Sequence, residues 1–233
     1  MSDIKESMHW ADVTAERIIS QKGDRDSYVC AAGITPSGVV HIGNFREIIT
    51  VDLVVRALRK IGKNVRFIYS WDDYDVFRKV PKNMPQQDML KENLRKAIVD
   101  VPDPFGTQES YARHHEVDVE NDIHKVGIKP EFLYQAKKYR NLEYVEGIKK
   151  ALQNANRIRE ILNEHREEPL DENWLPISGY CPECGDDRVD LNNYDGEYNL
   201  NLKCNNCSCE KQININESPF LKLPWRIDWP MRW

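Results

Sequence analysis

The chain has 233 residues, 38 acidic and 33 Lys or Arg, giving a formal net charge of −5 with 40% hydrophobic and 30% charged side chains. These values fit a soluble globular protein of roughly one and a half domains and exclude a uniformly basic nucleic-acid coat, so any nucleic acid must be met by a local patch. No apolar run reaches the roughly 18 residues of a membrane span, and the opening Met1-Ser2-Asp3-Ile4-Lys5-Glu6-Ser7 lacks the apolar core of a secretory leader, so a cytoplasmic chain with reduced thiols and no membrane contact is expected.

The first 26 residues read as a helix and a polar turn, with Trp10, Val13, Ile18 and Ile19 on one face and Gly23-Asp24 as the stop. Residues 28–34 form a short apolar run of the kind found in buried parallel strands. Thr35-Pro36-Ser37-Gly38 is turn chemistry. A helix then starts near Asn44, carries Val51, Val54, Val55, Leu58 and Ile61 at helical spacing, and stops at Gly62. Residues 65–71 are the next strand. Strand, glycine-bearing loop, helix and strand make a βαβ unit, which predicts a parallel sheet and an α/β fold. Residues 72–110 are expected as loops with one helix near 86–98. Helical stretches follow around 109–127 and 136–166, and then a linker over 169–176.

Five of the six cysteines fall between positions 181 and 209. Cys181-Pro182-Glu183-Cys184 and Cys204-Asn205-Asn206-Cys207 are two C-x2-C pairs separated by 19 residues, the donor set and spacing of a tetrahedral zinc site. Gly185 lets the backbone turn sharply so that its N–H faces sulfur, and Asp195-Gly196 marks a hairpin between the pairs. One structural Zn2+ is expected on Cys181, Cys184, Cys204 and Cys207, with Cys209 as the alternative to Cys207.

The central chemical signal lies between the first strand and its helix: Gly33-Ile34-Thr35-Pro36-Ser37-Gly38-Val39-Val40-His41-Ile42-Gly43-Asn44. Small residues let the backbone approach a nucleotide, and the helix start directs N–H groups and a positive dipole end towards phosphate. His41 can donate to a phosphate oxygen as charge builds during attack on the α-phosphorus, and Gly43 leaves room for a flat adenine ring.

His41-Ile42-Gly43-Asn44 resembles the HIGH motif of class I aminoacyl-tRNA synthetases, with Asn in the last place. The likeness narrows with His9-Trp10-Ala11-Asp12, Gly33-Ile34-Thr35-Pro36-Ser37-Gly38, Trp71-Asp72-Asp73-Tyr74-Asp75, Val101-Pro102-Asp103-Pro104 and Arg226-Ile227-Asp228-Trp229-Pro230-Met231-Arg232-Trp233. Together these resemble the class I, archaeal-type lysyl-tRNA synthetases over essentially the whole chain. The resemblance implies an incomplete class I Rossmann-like parallel sheet with a helical insertion and a zinc ribbon. Its implied segments are 1–110 (first half of the nucleotide-binding fold), 111–177 (helical insertion and linker), 178–217 (zinc ribbon) and 218–233 (a strand returning towards a second half).

The activity implied is that of a lysine–tRNA ligase, in which Mg2+ and ATP activate lysine as lysyl-adenylate before transfer to the acceptor end of tRNA-Lys. By motif match Thr35, Pro36, Ser37, Gly38, His41, Gly43 and Asn44 line the ATP and adenylate site, with His41 and Asn44 catalytic. Lysine has two ammonium groups that ask for carboxylates and a stem that asks for an apolar wall. Gly33, Trp71, Asp72, Asp73, Asp228 and Trp229 are the candidates, the last two near the end of another strand. Lys137, Lys138, Arg140, Lys149, Lys150, Arg157 and Arg159 either contact acceptor-stem phosphates or form a solvated face.

Two departures from the family pattern stand out. Where some members hold a further zinc on Asp, Cys, His and a later His, this chain has Asp103, Thr107, Gln108 and His114, so one zinc is expected, with Asp103 and His114 surviving as a structural pair near Glu109 and His115. The KMSKS-type loop that clamps the triphosphate has no match. An N-terminal piece is therefore expected, inactive alone and in need of a separate chain to supply the remainder, with Phe220, Leu221, Leu223, Trp225, Trp229 and Trp233 partly uncovered. The alternative is a non-catalytic, zinc-dependent tRNA-binding module derived from a synthetase.

Overall fold

A computed structural model describes residues 8–232. The chain forms two compact units that are interleaved in sequence. One runs to Asp73 and resumes over Ala112–Tyr134; the other comprises Tyr74–Tyr111 and the chain from Gln135 onward.

The first unit is an α/β layer. Helix α1 (Trp10–Lys22) starts at His9, whose Nδ1 accepts from the Ala11 N–H at 3.3 Å, and stops at Gly23 with φ +83°. It buries Ala11 and Ala15, whereas Trp10 and Val13 of the expected apolar face are exposed. The small side chains let α1 lie against helix α2 (Ile42–Lys60). Strands β1 (Ser27–Ile34) and β2 (Asn64–Trp71) flank α2 in sequence and pair in parallel from Ser27 opposite Asn64 to Ile34 opposite Trp71. The βαβ expectation is thus met. Helix α2 buries Ile48, Val54, Val55 and Leu58 against Val65, Phe67, Tyr69 and Trp71 of β2, and Ile61, expected on the same face, is instead its exposed C-cap.

A third parallel strand, β3 (Glu131–Tyr134), adds to β2 on the side away from β1, with Trp71 opposite Tyr134. It falls between the two expected helical stretches and was not anticipated. Helix α4 (Tyr111–Ile123) leads towards it.

In the second unit the expected helix near 86–98 is shorter, α3 (Gln87–Glu92). The stretch expected at 136–166 divides into α5 (Gln135–Arg140), α6 (Val145–Gln153) and α7 (Ala155–Asn163), interrupted at Leu142, with φ +61°, and at Asn154. Strand β4 (Ser178–Gly179) pairs antiparallel with β8 (Leu221–Lys222). Strands β5 (Val189–Asn192), β6 (Asn199–Cys204) and β7 (Glu210–Asn214) form an antiparallel meander.

The return strand expected over 218–233 is reduced to β8, because helix α8 (Trp225–Arg232) follows. The Pro224 carbonyl accepts from the N–H groups of Ile227 and Asp228 at 2.8 and 2.9 Å, and Asp228 places a carboxylate in the first turn, where the helix dipole favours it. Leu221 and Leu223, expected to be uncovered, are buried with Leu200, Leu202, Ile213, Ile148 and Tyr139; Trp225 is 64% exposed. Trp233 lies outside the described residues.

Candidate functional site

The carboxyl ends of β1 and β2 and the start of α2 gather the first unit's candidate residues. Gly33 sits opposite Ser70 in the ladder, and a Cβ there would lie 2.7 Å from the Ser70 carbonyl oxygen, so close pairing of the two strands requires glycine. The Gly33 N–H donates to the Glu47 carboxylate at 3.2 Å. Thr35 to Gly38 make the turn out of β1, closed by the Ser37 N–H to the Thr35 carbonyl at 2.8 Å. Pro36 is buried and Ser37 exposed.

His41 is the N-cap of α2. Its Nδ1 accepts from the Gly43 N–H at 3.0 Å, and Asn44 Oδ1 accepts from the His41 N–H at 3.3 Å, a reciprocal capping box. Asn44, in the motif's last place, therefore has a structural partner. His41 and Gly43 are exposed at the helix start, where the positive dipole end favours an anion.

Asp72 continues the β1–β2 ladder, its N–H donating to the Ile34 carbonyl at 2.9 Å, and its Oδ1 accepts from Ser70 Oγ at 3.2 Å. It is half-buried. Desolvation, with the Asp72 charge adding to it, raises the Glu47 carboxyl above its ordinary range. Glu47, one turn into α2, was not among the expected site residues; its place three residues after Asn44 was the available signal.

Trp71 and Asp73 are almost wholly buried. The Trp71 ring stacks on Phe132 at 6.2 Å between centroids, and its Nε1–H donates to Glu120 at 3.0 Å. Its indole is thereby enclosed within its own unit. Around Glu120 lie Tyr134, donating at 2.8 Å, and Arg113, which also meets Glu116 at 3.1 Å. Burial, with the Asp73 charge adding to it, pushes the Glu116 carboxyl up to about 8, outweighing the opposing pull of Arg113. This buried carboxylate cluster was also missed, because its members come from α4 and β3.

Asp228 and Trp229 belong to the second unit and lie on α8, not at a strand end. The Asp228 carboxylate is 3% exposed, receives the Tyr139 hydroxyl and pairs with Arg232. Burial raises it against the pull of Arg232. Trp229 is half-buried, with the Arg232 guanidinium 5.7 Å from its ring centroid. Several of the basic residues over 136–166 are ion-paired within the unit: Lys138 with Glu143, Arg140 with Asp100, Lys149 with Glu197 and Arg157 with Glu160.

Four thiols converge in the second unit. Cys181 Sγ is 3.5 Å from Cys207 Sγ and Cys184 Sγ 3.7 Å from Cys204 Sγ, and all four sulfurs lie within 4.8 Å of one another. Tetrahedral zinc with bonds of about 2.3 Å needs sulfurs about 3.8 Å apart, so the four fit the ion. Cys209 is outside this group; its carbonyl accepts from the Cys204 N–H at 2.8 Å. The N–H groups of Glu183 and Asn206 face Cys181 and Cys204 sulfur at 3.4 Å. Gly185 instead donates to the Cys181 carbonyl at 2.8 Å, with φ +75°, correcting the expectation that its N–H faces sulfur. Burial opposes ionisation of Cys184, but the Asp186 N–H and the Asn206 amide outweigh it and bring the thiol down to about 7.

Asp103, expected to pair with His114, closes its own loop. It accepts from the N–H groups of Phe105, Thr107 and Gln108 at 3.0, 2.7 and 2.8 Å and from Thr107 Oγ1 at 3.0 Å. Burial works against its charge, yet these donors hold the carboxyl below its ordinary range. On α4 the donor atoms of His114, His115 and Asp118 lie within 4.8 Å of one another.

Residues 8–233 match the family model described as tRNA synthetases class I (K). The chain is 54% identical over 225 residues to a lysine–tRNA ligase of Borrelia garinii subsp. bavariensis, covering 97% of this chain and 43% of that protein. It is 50% identical to the lysine–tRNA ligase of Treponema pallidum, covering 100% and 44%, and 47% identical to that of Thermococcus kodakarensis, covering 97% and 43%. The chain thus spans less than half the length of these curated relatives. A match over nearly every residue, on a parallel sheet whose helix α2 is capped by His41, shows that the chain belongs to the class I (K) tRNA synthetase family.

Proposed function

We propose that this chain is the amino-terminal part of the catalytic region of a lysine–tRNA ligase. The reaction assigned to the complete enzyme is in-line attack of the lysine carboxylate on the α-phosphorus of ATP. A carboxyl oxygen–phosphorus bond forms, the bond to the leaving pyrophosphate breaks, and lysyl-adenylate then passes its aminoacyl group to the acceptor end of tRNA-Lys. Catalysis of such a step is positioning and charge stabilisation. Thr35, Pro36, Ser37 and Gly38 bring backbone close to the nucleotide, while His41 and the start of α2 receive phosphate, with Mg2+ accompanying ATP. The observation that carries this reading is the His41 cap of α2 at the carboxyl end of a parallel strand, where ligands of such sheets bind.

Asp72 is the first choice for a lysine ammonium, since it is half-buried beside Gly33 and Glu47 at the strand ends. Trp71 and Asp73 support that wall from within the core. Asp228 and Trp229, the other expected lysine contacts, lie in the second unit, where Asp228 shares its charge with Arg232. Cys181, Cys184, Cys204 and Cys207 would hold one Zn2+, which when bound ties the turn before β5 to the β6–β7 turn and takes no part in the chemistry. A cytoplasmic location suits this function and these thiols; among the described residues no helix is long and apolar enough to cross a membrane. Calorimetric titration with a non-hydrolysable lysyl-adenylate analogue tests the reading. Binding at least tenfold weaker in His41→Ala is expected; equal binding by both proteins would refute it.

A further inference from the structure

The hydrogen bonds around His41 determine its proton as well as its place. Nδ1 accepts from the Gly43 N–H at 3.0 Å, so Nδ1 carries no proton and the neutral ring holds its proton on Nε2. The backbone of the same residue is tied by Asn44 Oδ1. A Cβ on Gly43 would lie 2.8 Å from Cε1 and 3.0 Å from Nδ1 of that ring, so any larger residue must push the imidazole away. We infer that Gly43 is a positioning residue that locks His41 in the Nε2–H tautomer, with Asn44 holding the turn, so that the histidine faces its ligand as a neutral hydrogen-bond donor.

This gives the glycine a purpose additional to the one read in the sequence. Its missing side chain makes room for the histidine's own ring. It also limits the chemistry: His41 donates a hydrogen bond to an oxygen that gains charge, and no proton need change hands. An unlocked ring would also populate the Nδ1–H form, which turns the Nε2 lone pair towards that oxygen. The tautomer stands on the geometry alone; that the oxygen belongs to a nucleotide phosphate rests on the function proposed above.

The test is a long-range 1H–15N spectrum of the chain labelled at its six histidines, with the His41 signals assigned by their loss in His41→Asn. The protonated nitrogen is expected to be Nε2, with Nδ1 bare. In Gly43→Ala the pattern should shift towards a mixture. A wild-type ring protonated at Nδ1 or averaged between the nitrogens overturns the inference, as does an unchanged pattern in Gly43→Ala.

Two replacements separate the nitrogens' roles. His41→Asn keeps an acceptor for the Gly43 N–H but has no donor at the Nε2 position; His41→Gln offers a donor there and loses the short cap. Amide protection at the start of α2 should survive in the first and fall in the second, while Mg·ATP binding should weaken at least tenfold more in the first. The reverse order would overturn the inference. A locked tautomer in a chain whose wild type binds neither Mg·ATP nor the adenylate analogue would remove the functional reading and leave this one standing.

Discussion

Gly33→Ala isolates the closeness of β1 and β2 at the candidate site. The added methyl would lie 2.7 Å from the Ser70 carbonyl oxygen and 3.0 Å from Ser70 Cβ. Neither neighbour can step aside, because the oxygen is backbone and the Ser70 strand is paired on both sides, with β1 and β3. The strands must separate locally, which also stretches the Gly33 N–H bond to Glu47. Overpacking of a well-packed interior costs about 1–3 kcal/mol. Hydrogen exchange reads this locally: amides of β2 near Ser70 should exchange about 5- to 150-fold faster, the same energy expressed as an opening equilibrium. Gly62→Ala is the contrast. It has φ +83° with nothing within 4 Å of the added atom, so its cost is backbone strain at a helix end and should leave β2 exchange near wild type. Exchange in Gly33→Ala within twofold of wild type would refute the close-approach argument.

Three further outcomes follow from the geometry. Zinc should bind at one equivalent per chain to the four-thiol group, and chelation or Cys181→Ser should loosen β5–β7 while the β1–β2–β3 sheet keeps its exchange protection; loss of both sheets together would contradict a local role for the ion. Glu116, raised from 4.5 to about 8 in the folded chain, favours its protonated form there, so its contribution to stability is full below about pH 4.5 and is lost as pH rises through about 8. Glu116→Gln should thus gain stability over wild type progressively across that window in urea unfolding, and a gap that is flat or shrinks with pH would show that Arg113 holds the carboxylate charged. Arg232→Ala leaves Asp228 buried without its cation and should destabilise the second unit by about 3–5 kcal/mol, with Asp228→Asn on the same chain recovering part of the loss; an unchanged denaturation midpoint would contradict the buried pair.

The β1–α2–β2 unit was legible because each level of the sequence agreed. The apolar runs are bounded by Pro36, Gly38 and Gly62, and Val54, Val55 and Leu58 keep helical period between them. Strand β3 was not legible: it is four residues long and Tyr134 passes straight into α5 without a turn residue. The return strand expected over 218–233 was not met, because the Pro224 carbonyl and Asp228 start a helix there.

In the site, His41, Gly43, Asn44 and Asp72 could be singled out because local sequence alone sets a loop between strand and helix. The fate of Trp71 could not, since only the arrival of Phe132 and Glu120 from distant elements encloses its ring. The Cys group was set by spacing alone, whereas the choice between Cys207 and Cys209 needed the turn geometry.

The most direct test of the central claim is lysine-dependent pyrophosphate–ATP exchange by a chimera in which this chain replaces the matching 44% of the Treponema pallidum enzyme. The account predicts exchange with lysine and a loss of about 10²–10³-fold on His41→Ala, the scale of removing one charge-stabilising donor. A folded chimera that exchanges with no amino acid, or whose rate is indifferent to His41→Ala, would contradict it.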